Sequence, residues 1–233
     1  MITLYGFGGL FGSEEGSPFV AKVMTFLKIA DVEFEMKRGA KYLKHAPKGK
    51  LPYLTDGANS IGESDIIIDY ICQQYHIDLE QHLTVEQRGQ SYLLRKAIDG
   101  QLCDLLVYSR WIDEPSFQAM KQQLTRKMPI PIKYIAPIVV RKKVHKRMAN
   151  IGLFDFSSEQ IHELLDKNLS ALSQVLSDKT YFFGEQPSLL DAVAYGTLSQ
   201  FMLSELDNSY NQRAKLHTNL VQYCQRMRLQ YYV

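Results

Sequence analysis

Two short stretches in the first third of the chain carry residues suited to holding a short peptide. The first is Gly49-Lys50-Leu51-Pro52-Tyr53-Leu54. A proline that opens a strand donates no ladder hydrogen bond and can adopt the cis form, so it can turn the amide and carbonyl of Leu51 toward an extended peptide. The second is Glu63-Ser64, where a carboxylate, a hydroxyl and the first free amides of a helix come together. That combination suits one end of a small zwitterion, and the two stretches together predict a seat for a short peptide.

A third candidate is Ser17, which is followed by Pro18. Serine is a favoured N-cap, and proline is tolerated at the first helical position, so the pair predicts the start of a helix that continues with helical spacing to Ala30. The loop before it, residues 8–16, holds four glycines. It lacks the Lys-Ser/Thr ending of a P-loop and does not fit GxGxxG, so we favour a flexible lid or a plain loop over a phosphate cradle.

Residues 1–77 predict one domain of thioredoxin-like arrangement. Ile2 to Phe7 is a β-prone strand, the Ser17 helix follows, and residues 32–36 alternate as a second strand. Strand, helix and strand in this order predict a right-handed parallel βαβ unit. The turn sequence at 56–59 then predicts an antiparallel hairpin, and a helix is expected from about Ser64 to Tyr75. The order βαβ-ββα gives the fold class of this part as α/β.

Residues 85–233 predict a second, all-α helical domain after a linker at 77–84. Gln87 to Trp111 has the pattern of one long helix weakened at Gly100, while Met128 to Pro131 and Pro137 are expected to break the following segment into short pieces. Two capping boxes mark later helix starts: Ser157 with Gln160, and Ser188 with Asp191. We expect the second box to be structural, at the head of a buried helix.

Composition excludes several classes of function. Lys plus Arg number 27 against 25 Asp plus Glu, which predicts no global field for nucleic acid. The three cysteines form no CxxC, no apolar run reaches about 18 residues, and the six histidines show no ligand spacing. The basic run from Arg141 to Arg147 fits a solvated helix face better than a nucleic-acid or anionic-membrane site. We expect a cytoplasmic protein with no metal and with neither nucleic acid nor membrane as a partner.

These motifs, in this order, resemble those of the cytosolic glutathione transferases, and the resemblance spans nearly the whole chain. It rests on Ser17-Pro18-Phe19 with Lys22-Val23, on Gly49-Lys50-Leu51-Pro52 with Glu63-Ser64, and on Ser188-Leu189-Leu190-Asp191. Within that superfamily the chain is most similar to the branch of the failed-axon-connections proteins and the metaxins. That similarity is carried by residues 30–35, 48–53, 64–68, Arg110-Trp111 and 141–160.

The resemblance implies glutathione as co-substrate and assigns roles to the candidate residues. Ser17, or alternatively Tyr5 at the end of the first strand, would donate a hydrogen bond to the thiol. Leu51, ahead of Pro52, would pair by its backbone with the cysteinyl part, Glu63 and Ser64 would hold the γ-glutamyl end, and Lys50 could reach the glycyl carboxylate. One departure is the loop from Tyr5 to Ser17, which is several residues longer than in most transferases.

Three functions follow as hypotheses from the resemblance. The first is a glutathione transferase that adds the thiol to a small, apolar electrophile, with Trp111 lining its pocket or packing in the core. The second is a non-catalytic interaction module like the metaxins. A third, a glutathione-dependent oxidoreductase, is disfavoured because Ser17 stands where a redox-active cysteine is needed. The family usually dimerises, so the resemblance also implies a homodimer.

Overall fold

The computed structural model describes residues 1–126, 130 and 132–233. Its first part is a four-stranded sheet with helices packed on it. In chain order the elements are β1 (Ile2–Gly6), α1 (Pro18–Ile29), β2 (Phe34–Arg38), a 3₁₀ helix (Ala40–His45), β3 (Tyr53–Asp56), β4 (Asn59–Gly62) and α2 (Ser64–Tyr75). The strand order is β2-β1-β3-β4, with β1 and β2 parallel and the other pairs antiparallel. The thioredoxin-like arrangement predicted from the sequence is therefore confirmed.

The core of this part explains why α1 and α2 lie where they do. Leu4 of β1 and Leu54 of β3 lie opposite each other on the two central strands, face the helices and are fully buried. They pack with apolar residues that recur at helical spacing on α1 and α2, chiefly Phe26, Leu27, Ile67 and Ile71. Both helices are thus held on one face of the sheet.

The rest of the chain is helical, as predicted. The helices are α3 (Val85–Ala97), α4 (Cys103–Trp111), α5 (Glu114–Thr125), α6 (Ile132–Asn150), α7 (Ser158–Leu176), α8 (Leu189–Met202), α9 (Ser209–Ala214) and α10 (Thr218–Tyr232), with a short 3₁₀ helix at Leu153–Asp155. The predicted long helix is present: α3 and α4 are joined by a π-helical turn, Ile98–Leu102, which contains Gly100.

The prediction that Pro137 breaks its segment is wrong. Pro137 lies inside α6, a continuous helix of 19 residues. A proline removes one helical hydrogen bond, and here the missing bond belongs to the second turn, while the ring of Pro137 is buried against the protein. Of the other predicted breakers, Met128, Pro129 and Pro131 lie outside the described residues.

Helix α8 is the support on which α1 rests. Gly196 lies so close to α1 that an added Cβ would be 2.8 Å from the Lys22 nitrogen and 2.9 Å from the Pro18 carbonyl oxygen. The capping box of α8 is present, and Asp191 is fully buried. Its carboxylate accepts the Ser188 amide at 2.8 Å and the Phe182 amide at 3.1 Å, so the start of α8 is fixed by backbone amides of its own entry loop.

Candidate functional site

The Leu51-Pro52 stretch lies at the entrance to β3, and the peptide bond between the two residues is cis. The Leu51 side chain is buried and clusters with Val20 of α1 and Tyr53 of β3. Among the hydrogen bonds of residues 1–126, 130 and 132–233, none involves the Leu51 amide or carbonyl. A backbone donor and acceptor are therefore left for a ligand beside the first turn of α1.

The start of α2 has an unusual backbone. Glu63 is the N-cap of this helix, with φ 71° and ψ 126°, and its side chain makes no capping hydrogen bond. A positive φ is rare for a glutamate, and such outliers concentrate at binding sites. Ser64 is buried as the first helical residue, and the Glu63 carboxylate lies 3.7 Å from the Lys48 ammonium. The first amides of α2 and the positive end of its dipole are thus open to an anionic group.

Ser17 caps α1, as its position before Pro18 predicted. Its hydroxyl accepts the Val20 amide at 3.5 Å, which is long for a hydrogen bond, and the residue is only partly buried. The hydroxyl can therefore also donate to a ligand. Val20, which clusters with Leu51, lies one helical turn after Ser17.

Glu15 is a part of the site that sequence reasoning missed. Its side chain is only 1% exposed, and its carboxylate accepts the amides of Phe7 (3.1 Å), Gly8 (2.8 Å) and Ser17 (3.2 Å). Burial raises the pKa of Glu15, although the three amides and Arg38 oppose that shift. The glycine-rich loop thus uses its amides on an internal carboxylate. An acidic residue just before a helix start was the available signal.

The helical part of the chain holds this loop in place. Arg110 is buried and donates to the Gly16 carbonyl at 3.0 Å and to the Gln200 side-chain oxygen at 2.8 Å. Gln200 in turn donates to the Glu15 carbonyl at 2.7 Å. The carbonyls of Glu15 and Gly16, just before α1, are therefore tied to α4 and α8, an arrangement that does not resemble a freely moving lid.

Tyr5, the alternative thiol donor, lies in an aromatic cluster. Its ring stacks on Tyr53 with centroids 4.1 Å apart and meets Tyr42 edge-on at 5.0 Å. The ring is partly buried and borders the Val20 and Leu51 side chains. Tyr5 packs against this cluster, Ser17 caps the helix that supplies Val20 to it, and the choice between the two stays a prediction.

A buried lysine joins three helices behind the site. Lys22 of α1 contacts Asp65, which follows Ser64 on α2, and reaches Asp99 of the π-helical turn at 2.5 Å. Asp65 also contacts Lys96. Partial burial would raise the pKa of Asp65, but hydrogen bonds and charge from the two lysines outweigh it and lower the pKa to about 2. This network fixes the start of α2 relative to α1.

The remaining candidates are placed as follows. Lys50 is exposed and makes no ion pair with any described residue, so it is available to a carboxylate. Trp111 packs beside Phe117 and against the cluster of Phe11 and Met120, which favours core packing over a pocket wall. Within the described ranges there is no group of three potential metal ligands and no helix long and apolar enough to span a membrane.

A large groove lies elsewhere on the molecule. It has a volume of about 920 Å³ and runs along the outer edge of β2 beside the end of α10. None of the residues predicted for the peptide seat lines it. We place the candidate site at Ser17, Leu51 and Glu63 because an unpaired backbone and two helix starts meet there, whereas the groove, although it is lined by charged side chains, contains neither.

Several solved glutathione transferases share this architecture. The chain superposes on glutathione transferase GSTFuA3 from Phanerochaete chrysosporium with a TM-score of 0.67 and 14% identity, covering 100% of this chain and 98% of the other. A Methylobacterium radiotolerans glutathione S-transferase in complex with glutathione sulfonate gives a TM-score of 0.59 and 15% identity, over 97% and 90%. The fold is therefore that of the glutathione transferases.

Family models give the same result from sequence. A model of the glutathione S-transferase N-terminal domain matches residues 18–116, and one of the C-terminal domain matches residues 165–227. Together they account for more than half of the chain. The protein belongs to the glutathione S-transferase superfamily, which confirms the resemblance found in the sequence.

Its relatives include an enzyme and members of the branch named from the sequence. Isoprene-epoxide–glutathione S-transferase of Rhodococcus sp. (strain AD45) is 27% identical over 99% of this chain and 99% of its own length. Human metaxin-2 is 25% identical over 90% of this chain and 80% of its own length. Drosophila melanogaster failed axon connections is 29% identical over 83% of this chain, which spans 48% of that relative.

Proposed function

We propose that this protein binds glutathione at the Leu51–Glu63 seat and activates its thiol for attack on a small, apolar electrophile. The observation that carries the proposal is the unpaired Leu51 backbone. Leu51 clusters with Val20 of α1, and Tyr53, two residues further on, pairs with Gly62 just before α2. An extended tripeptide pairs with such a backbone as an added strand would. Its γ-glutamyl end would then meet Glu63 and Ser64, and its glycyl carboxylate would be in reach of Lys50.

Thiol activation follows from the start of α1. A thiol such as that of glutathione has a pKa of about 8.5, so only a small fraction is thiolate at neutral pH. The Ser17 hydroxyl and the dipole of α1 both favour the thiolate and so lower the pKa of the thiol. Each unit of that decrease corresponds to about 1.4 kcal/mol. The relative that acts on isoprene epoxide supports an electrophile of this small, apolar kind.

A second function, a non-catalytic interaction module, is favoured by a different observation. The Glu15 carboxylate lies 3.2 Å from the Ser17 amide and has almost no contact with solvent. A negative charge this close opposes a second negative charge at the same helix start. Metaxin-2 and failed axon connections, which match most of this chain, support the same alternative.

Two measurements separate these functions: retention on glutathione resin and conjugation of a model aryl halide. For the enzyme we expect retention and turnover, with Ser17→Ala losing turnover and Glu63→Ala losing retention. Ser157→Ala is the matched control, because Ser157 is also a helix N-cap but begins α7, which carries none of the seat residues. Retention without turnover would support the non-catalytic module. No retention of the wild type would contradict the hypothesis that this protein binds glutathione.

Place of action and assembly are further parts of the proposal. The described structure holds its three cysteines, Cys72, Cys103 and Cys224, as free thiols, which suits a reducing compartment such as the cytoplasm. We expect a homodimer by analogy with the superfamily. Sedimentation of the purified chain at several concentrations measures its mass and tests that expectation directly.

A further inference from the structure

Helix α6 exposes a run of large apolar side chains that the glutathione seat does not use. Six residues in its first half are each more than a third exposed: Ile132, Tyr134, Ile135, Ile138, Val139 and Val140. The opposite side of the same half contacts the protein through the buried Pro137. Three of the six, Ile132, Ile135 and Val139, share one face by helical spacing, and an exposed apolar face marks an interaction site.

The second half of α6 carries positive charge on the same face. Ile132, Ile135 and Val139 follow helical spacing, and Lys142, Lys143 and Lys146 continue it. These three lysines are exposed and form no ion pair within the described ranges, and α6 contains no acidic residue. In contrast, Arg141 and Arg147 are paired with Glu114 and Asp104 of neighbouring helices.

A shallow groove adjoins this face. It has a volume of about 470 Å³ and is lined by Phe117, Ile138, Arg141, Lys142 and His145. Arg141 already binds protein groups, since it donates to the Trp111 carbonyl at 2.9 Å and pairs with Glu114. Lys142 and His145 are exposed. An apolar wall next to basic groups suits a molecule with a hydrocarbon part and an anionic head.

We propose that the α6 face, defined as Ile132, Ile135, Val139, Lys142, Lys143 and Lys146, docks on the surface of an anionic lipid bilayer. The aliphatic half enters the boundary between head groups and acyl chains, and the lysines contact the anionic head groups. This contact lies in the plane of the interface and needs no spanning helix. The basic run, expected from the sequence to be a solvated face, thereby gains a partner.

Charge distinguishes this occupant from a second copy of the chain. Two α6 faces paired in parallel would set lysines against lysines. Paired antiparallel, they would set each ammonium group over the partner's isoleucines, where it loses water without gaining a counter-charge. A bilayer surface containing anionic lipid supplies both the apolar and the anionic surface that the face requires.

Vesicle co-sedimentation tests the proposal with the full chain. We expect binding to vesicles of equimolar phosphatidylserine and phosphatidylcholine, weak binding to phosphatidylcholine alone, and release by high salt, because about 1 M salt shortens the screening length to about 3 Å. Ile135→Ser with Val139→Ser, and separately Lys142→Gln with Lys143→Gln and Lys146→Gln, should each lose most of the bound fraction.

Matched controls use exposed residues away from α6. Leu216→Ser with Leu229→Ser removes two exposed leucines, and Lys41→Gln with Lys44→Gln and Lys167→Gln removes three exposed lysines. Both controls should bind like the wild type. The proposal is overturned if the wild type ignores the anionic vesicles, or if the controls lose as much binding as the α6 variants. It is equally overturned if Ile135→Ser with Val139→Ser turns a dimer into a monomer while lipid binding stays unchanged.

Discussion

The carboxylate of Glu15 accepts the backbone amide of Ser17 at 3.2 Å, immediately before α1. The same carboxylate accepts the amides of Phe7 and Gly8, so one side chain closes the loop that separates β1 from α1. The residue proposed to bind the thiol is thus positioned by a buried acid two residues earlier. Loop order and site geometry depend on the same group.

Glu15→Ala should destabilise the protein. The substitution leaves three amides without their acceptor, and an unpaired buried donor costs about 1–3 kcal/mol. We expect the free energy of unfolding, measured with urea, to fall by roughly 2 kcal/mol or more. Glu33→Ala is the control, since Glu33 is exposed and should change stability by less than about 0.5 kcal/mol. Equal stability of the two variants would show that the loop does not need its carboxylate.

Stability should rise as the pH falls from neutral into the mildly acidic range. Burial raises the pKa of Glu15 and of Asp191. A raised folded-state pKa contributes stability that is present at low pH and lost as pH rises through that pKa. Asp65 acts in the opposite direction, because its folded-state pKa of about 2 lies below its unfolded value of about 3.9. The stability that it contributes is present above about pH 3.9 and is lost as the pH falls toward 2.

The measurement is the thermal midpoint across that pH range. We expect a maximum on the acid side of neutral and a decline below about pH 4. Glu15→Gln should flatten the rise, because the substituted side chain no longer titrates. A midpoint that falls steadily from pH 7 downward would contradict the assigned directions.

The sequence predicted the local elements that carry the candidate site residues, because these depend on neighbours along the chain. Ser17 before Pro18, Leu51 before Pro52 and Glu63 before Ser64 are local signals, and the elements they mark are present in the structure. The pairing of the strands followed from order and turn residues. Glu15 was missed because loops lack periodicity, so its role depends on amides that only the folded loop brings together.

Contacts between distant segments were not predictable from one sequence. Lys22 and Asp99 are 77 residues apart, and nothing in the periodicity of either helix marks them as partners. Pro137 shows the reverse problem, since the prediction from its residue type was wrong: the proline lies buried inside a continuous helix. Local propensity gave way to tertiary packing at that residue.

Lys22→Met tests the buried network behind the site. Removing one member of a buried pair leaves an uncompensated charge, here mainly on Asp99, and such changes cost about 3–5 kcal/mol. Asp65 is more exposed, so we assign most of the loss to Asp99. Adding Asp99→Asn to Lys22→Met should restore part of the free energy of unfolding. If the double variant were no more stable than the single one, the two side chains would not be coupled.

Gly196→Ala tests whether contact between α8 and α1 positions the proposed thiol site. The new methyl group would meet the Lys22 nitrogen and the Pro18 carbonyl, both backbone atoms that cannot rotate away, so α1 must shift. Overpacking of this kind costs about 1–3 kcal/mol, and the start of α1 moves with it. Gly89→Ala on α3 is the matched control: nothing lies within 4 Å of its Cβ, and alanine in a helix should stabilise by about 0.5–1 kcal/mol. Urea unfolding and retention on glutathione resin are measured on both. We expect only Gly196→Ala to lose both stability and retention. Loss of stability with full retention would show that the contact between α8 and α1 stabilises the fold without positioning the thiol site.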